Sequence, residues 1–131
     1  MKRLIALFLG SLFLAGCVTP VTSKVTTTGS RELTEAEKGY LYKSVQQKLK
    51  DPDSARLTFV PFIETSEGSL DYCGYVNAKN SYGGYAGNQI FKATFLKVNG
   101  QVKGAVSLLD GSSIGQQALR DECTERGYKM Y

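Results

Sequence analysis

Apolar residues occur along this chain in runs whose spacing changes from one segment to the next. Leu4 to Phe13 is a short, nearly continuous apolar run preceded by Lys2-Arg3. It is too short to cross a bilayer comfortably, and its flanks are those of a signal peptide, expected to cover residues 1–16. Residues 17–32 are rich in Thr and Ser, contain Pro20 and Gly29, and show no helical period. They read as a flexible linker, although Thr and Val also favour strands.

The pattern becomes regular at Leu33. Thr34 and Glu37 stand at capping-box spacing. The helix they open carries Leu41, Tyr42, Val45 and Leu49 on one face and is expected to end at Lys50, because Asp51-Pro52 disfavours continuation. Leu57, Phe59, Pro61 and Ile63 then alternate with their neighbours as a strand. Pro61 cannot donate to a ladder, so this strand should be an edge or carry a bulge there. Further strands are predicted over 70–79, 90–98 and 101–109, the last two joined by Asn99-Gly100, a strong type I′ hairpin signal. Residues 90–98 are apolar on both sides and should be central. Ser113 and Gln116 are expected to cap a final helix carrying Leu119 and Cys123, with Gly127 at its C′ position. The predicted fold is therefore α+β. It is one domain over 33–131, in the order α-β-β-β-β-α, with a four-stranded antiparallel meander and one or both helices on a single face.

Composition narrows the chemistry. The chain has 131 residues, 42% apolar and 21% charged, which is ordinary for a globular domain. It contains no His, which excludes Ser-His-Asp and Cys-His catalysis and imidazole metal sites. The formal net charge is +4, but Lys2 and Arg3 belong to the signal. The remaining bias is too weak to argue for nucleic acid. No catalytic residue and no metal ligand set is expected. Glu64, Glu67 and Asp71 cluster near one turn, as a glycosidase carboxylate pair would. They are more simply the solvated end of a hairpin. A Lys79–Ser81 dyad would lack anything to fix its Ser.

Leu14-Ala15-Gly16-Cys17, following the apolar run, resembles the lipobox of bacterial lipoproteins. The resemblance implies diacylglyceryl transfer to the Cys17 thiol, cleavage before Cys17 and acylation of the new amine. Several acyl chains on one residue anchor a protein stably. Val18, rather than Asp, resembles the sorting signal for the outer membrane, with the domain facing the periplasm. Beyond this covalent lipid no cofactor is expected. With Cys17 lipidated, Cys73 and Cys123 are an even remainder in an envelope protein and are expected to form a disulfide.

Residues 77–89, Asn-Ala-Lys-Asn-Ser-Tyr-Gly-Gly-Tyr-Ala-Gly-Asn-Gln, form a longer connection than most hairpins need. Tyr with Gly, Ser and Asn is the composition of adaptable binding loops. Asn80, Ser81, Tyr82, Tyr85 and Asn88 are the candidate binding residues, and the competing expectation is that both tyrosines fold back as a lid on the sheet. Leu49 to Ala55 together with Tyr72 to Tyr85, including Lys-Asn-Ser-Tyr-Gly-Gly-Tyr, resembles a group of small bacterial and prophage-encoded envelope proteins. That resemblance implies a compartment and a fold, but no activity. The expected function is a lipid-anchored binding or scaffolding role, not an enzymatic one, with the membrane and an envelope protein or glycan as partners. The alternatives are an inhibitor or immunity protein against a toxin or lysozyme, and a phage-derived surface exclusion factor.

Overall fold

The computed structural model describes residues 25–131. Cys17 and the signal segment lie outside the described residues. The elements, in order, are β1 (Thr27–Arg31), α1 (Glu35–Gln46), a 3-10 turn (Pro52–Ser54), β2 (Arg56–Thr58), β3 (Phe62–Thr65), β4 (Asp71–Asn77), β5 (Gln89–Val98), β6 (Gln101–Leu109) and α2 (Ser113–Glu125). The class is α+β, as expected. The order and the sheet arrangement differ from the expected meander.

The differences begin at Pro61. The strand predicted over 57–63 is split into two pieces that join different sheets. β2 heads a four-stranded antiparallel sheet in the order β2-β4-β5-β6. β3 leaves that sheet and pairs antiparallel with β1. Pro61 has no N–H for a ladder. Beside it, the hydroxyl of buried Tyr72 takes the place of a strand neighbour: Val60 N donates to Tyr72 Oη (2.9 Å) and Tyr72 Oη donates to Val60 O (3.0 Å). β3 then needs a partner, and Thr27–Arg31 supplies it. The last residues of the expected linker are thus a strand, because the β-propensity of Thr27 and Thr28 finds an open edge.

The helix boundaries follow their caps. Thr34 and Glu37 form the expected capping box. α1 ends at Gln46 rather than Lys50, and turn-like bonds from Lys48 N to Val45 O and Leu49 N to Gln46 O finish the segment. The cap of α2 is Ser112, not Ser113. Its side chain accepts from Gly115 N, while Gln116 reaches the β5 backbone at Ile90 N and Ile90 O. Asn99 and Gly100 both have positive φ, 52° and 77°, as a type I′ turn requires. Gly127 (φ 91°) takes the C′ position.

Of the two expected arrangements the structure has one helix to a face: α1 and α2 cover opposite faces of the sheet. Tyr72, Ala93 and Ser107 are cross-strand neighbours and share one face. α1 packs there, placing Leu41 and Val45 in the core, and Ser107 Oγ donates to Ser44 O (2.9 Å). Cys73 and Lys92 are neighbours on the other face. α2 packs there through the Cys73–Cys123 disulfide, the Lys92–Glu122 ion pair and an Arg126–Asp71 pair at 2.8 Å. Alternate residues of β4 therefore face different helices. Tyr72 is the hub of the core, with Phe62, Phe91, Phe95 and Tyr128 around its ring at 5.9–6.4 Å between centroids. The cluster needs Gly74, where a Cβ would lie 2.9 Å from Phe91 and 3.0 Å from Tyr72. Where β3 departs, the C-terminal tail closes the gap: Tyr128 Oη accepts from Ile63 N and donates to Asp71 O.

Candidate functional site

The loop between β4 and β5 is held by its own polar residues. Lys79 bridges Tyr85, and Ala86 N donates to Ala78 O, so the loop begins as a narrow two-stranded neck. At its tip the Asn80 carboxamide oxygen accepts from Tyr82 N (2.9 Å) and Gly84 N (3.2 Å). Asn80 N donates to Gly84 O, and Gly83 N donates to Asn80 O. Gly83 (φ 84°) and Gly87 (φ 92°) provide the left-handed backbone that this path requires. The base is fixed by Asn77 Oδ1, which accepts from Gly87 N, and by Ser54 Oγ, which accepts from Lys79 N.

This scaffold presents Tyr82 almost entirely to solvent, at 97% exposure. Tyr85 is 38% exposed. Its ring lies 4.1 Å from the Arg56 guanidinium carbon and 5.9 Å from Lys79 Nζ, within cation–π range. Neither ring is a lid on the core. Asn88 is exposed on the returning limb. Ser81 Oγ accepts from Lys50 Nζ (2.9 Å). Asn80 departs from its expected role, since its oxygen is committed to the loop backbone rather than to a partner.

The structure adds residues that the sequence pattern did not single out. Lys48, Lys50, Lys79, Asn80, Ser81 and Gln89 border an open cleft of about 300 Å³ beside the loop. Its cations come from two distant segments, Lys48 and Lys50 from one and Lys79 from the other, so no local motif could reveal them. At the other end of the sheet a depression of about 350 Å³ contains Arg31, Glu37 and Glu64. Its charges serve the fold. Arg31 donates to both Glu37 carboxylate oxygens (2.7 and 2.8 Å), and its guanidinium sits over Phe62. The hydrogen bonds from Arg31 hold the Glu37 carboxyl well below its usual range, at about 2.

Glu64 and Asp71, near the β3–β4 turn, are both engaged by basic side chains. Glu64 faces Arg31, while Asp71 is engaged by Arg126 and Thr94. Among the described residues, no group of three or more Cys, Asp and Glu side chains is placed to hold a metal ion. Cys73 and Cys123 are joined, with Cα atoms 6.1 Å apart. Among the described residues no helix is long and apolar enough to cross a membrane. No family model, curated protein or solved structure matches the chain.

Proposed function

We propose that this is a lipid-anchored protein of the bacterial envelope, attached through Cys17 to the outer membrane, whose domain binds a partner through the 77–89 loop and catalyses no reaction. The observation that carries the reading is Tyr82, a bare aromatic side chain on a backbone held by Asn77, Asn80 and Ser54. An exposed ring on a fixed backbone has already met most of the ordering cost of binding. Tyr is also among the residues that most often dominate interface energy. The partner is an envelope protein or glycan.

The polarity of the domain supports the reading. Thr26 O accepts from Ser66 N, which puts the N-terminal end of the described chain at the β3–β4 turn. The 77–89 loop leaves the opposite end of β4. A tether entering at one end would leave the tyrosine loop pointing away from the membrane. An inhibitor of a hydrolase is the second reading, favoured by the projecting, internally hydrogen-bonded loop.

Crosslinking from position 82 in cells, followed by mass spectrometry, tests the binding role. A discrete adduct that is lost in a Tyr85→Ala variant is expected, and the absence of any adduct would remove the proposal. Cys17→Ser should release the protein from membranes or block its processing. Material that still pellets after a salt wash would refute the anchor.

A further inference from the structure

Over its middle, β6 turns its larger apolar side chains away from the helix that covers it, while Val102 and Leu109 near its ends pack against the core. Toward α1 it points Ala105 and Ser107, and away from α1 it points Val106 and Leu108. These two side chains are 57% and 53% exposed. On the neighbouring strand, Leu96 and Val98 point the same way at 47% and 52%, and Ile114 at the start of α2 is 83% exposed. α2 covers this face over β4 and β5 but leaves its β6 side bare. Directly paired residues lie about 5 Å apart and diagonal ones about 7–8 Å, so the exposed side chains of β5 and β6 form one continuous stripe.

From this inverted pattern we infer that the bare half-face docks a second copy of this chain, stripe against stripe about a two-fold axis. An isologous contact sets each surface against itself, so any charge on it meets its own sign. The outward positions from Thr94 to Val98 and from Gln101 to Leu108 carry no charged side chain, and the one cation directly opposite the stripe, Lys92 across from Leu108, is already paired with Glu122 of α2. The nearby lysines go elsewhere: Lys97 lines the depression with Phe95, and Lys103 lies beside Tyr40 and Lys43 of α1. A partner of opposite charge would leave no reason for that segregation.

The area is of the right order. The exposed aliphatic side chains amount to roughly 500 Å² of apolar surface, the size of patches that mark interaction sites. Two copies remove roughly 1,000 Å² before rim contacts with α2 are added, near the lower limit of about 1,200 Å² for stable interfaces. Sheets stack face to face at about 10 Å, a spacing that aliphatic side chains from both layers fill. The stripe and the Tyr82 loop are separate surfaces, so a dimer would present two loops.

A photo-crosslinking residue at Val106 in the full chain, irradiated in cells, tests the contact. The expected product is an adduct of twice the chain mass. It should fall at least about tenfold when Leu108→Glu is added, with the melting temperature unchanged because Leu108 is half exposed. If Leu108→Glu lowers folding, Val98→Lys serves as the second variant, with the same expected loss. A monomer only, an adduct of another mass, or a dimer adduct indifferent to both variants would overturn the inference. The probe at position 82 reports on the loop reading independently, so failure of one proposal is distinguishable from failure of the other.

Discussion

Tyr72 and Tyr82 lie ten residues apart and put the same side chain to opposite uses. Tyr72 is fully buried, and its hydroxyl satisfies both backbone groups of Val60 where Pro61 interrupts the sheet. Burial pushes its phenol pKa well up, so it remains a neutral donor at any physiological pH. Tyr82 contributes no buried area, and its position is set by Asn80 and two glycines rather than by packing. The difference separates two kinds of order. Around Tyr72, order comes from β3, β4, β5 and the C-terminal tail converging on one ring. In the loop it comes from short polar contacts that survive with the tip fully wet. A region of the second kind can change its surface with little effect on stability.

The contrast can be broken most severely at the disulfide, which ties α2 to β4 next to Tyr72. Cys123→Ser opens a cross-link spanning 50 residues. The expected loss is about 4 kcal/mol in urea unfolding, a large part of the ~5–15 kcal/mol of a small domain. Two free thiols in the mature, non-reduced protein, measured by alkylation and intact mass, would show that the link does not form.

The next effect is acid sensitivity at the Arg31–Glu37 pair beside Phe62. Glu37 has its folded pKa depressed to about 2 from 4.5, chiefly by hydrogen bonds from Arg31. Its contribution is therefore complete above about pH 4.5 and is lost as pH falls toward 2. Glu37→Gln should cost roughly 2–3 kcal/mol at pH 7. It should also flatten the stability profile between about pH 4.5 and 2. A variant retaining the wild-type slope would assign that slope to other carboxylates.

Tyr72→Phe sharpens the comparison with a smaller cut. It keeps the aromatic packing and removes only the hydroxyl, leaving Val60 N and O without their shared partner. The expected cost is about 1–3 kcal/mol. Hydrogen exchange at Val60 should accelerate more than in the rest of the sheet, and an unchanged rate there would argue against the bridging role. Tyr82→Ala is the smallest perturbation, expected to fall within about 0.5 kcal/mol of wild type. A large drop in melting temperature would mean that the ring packs against the domain and would count against the binding loop.

Local patterns foretold much of the fold. The α1 capping box, the Asn99-Gly100 turn, the span of β6, the central placement of β5 and the Gly127 terminus each depend on residues within a few positions of one another, and each occurs as read. The loop residues were also visible, because Tyr and Gly in a long connection are unusual. The pairing of Cys73 with Cys123 followed from there being two cysteines once Cys17 was set aside for a lipid.

What needed the tertiary structure was every choice between competing partners. Pro61 announced a break but not that β3 would join β1, because strand pairing depends on which edge is free rather than on local propensity. β4 was legible as a strand, yet the assignment of α1 to the Tyr72 face and α2 to the Cys73 face depended on connections that periodicity does not encode. That Val106 and Leu108 point to an uncovered side of the sheet is visible only in the structure, because no local pattern says which face a helix will cover. Lys79 meets Lys48, Lys50 and Arg56 near the tyrosine loop only because the fold brings two distant segments to one end. Short-range chemistry sets each element's own limits. Long-range pairing is settled only when the whole chain competes for the same buried faces and open edges.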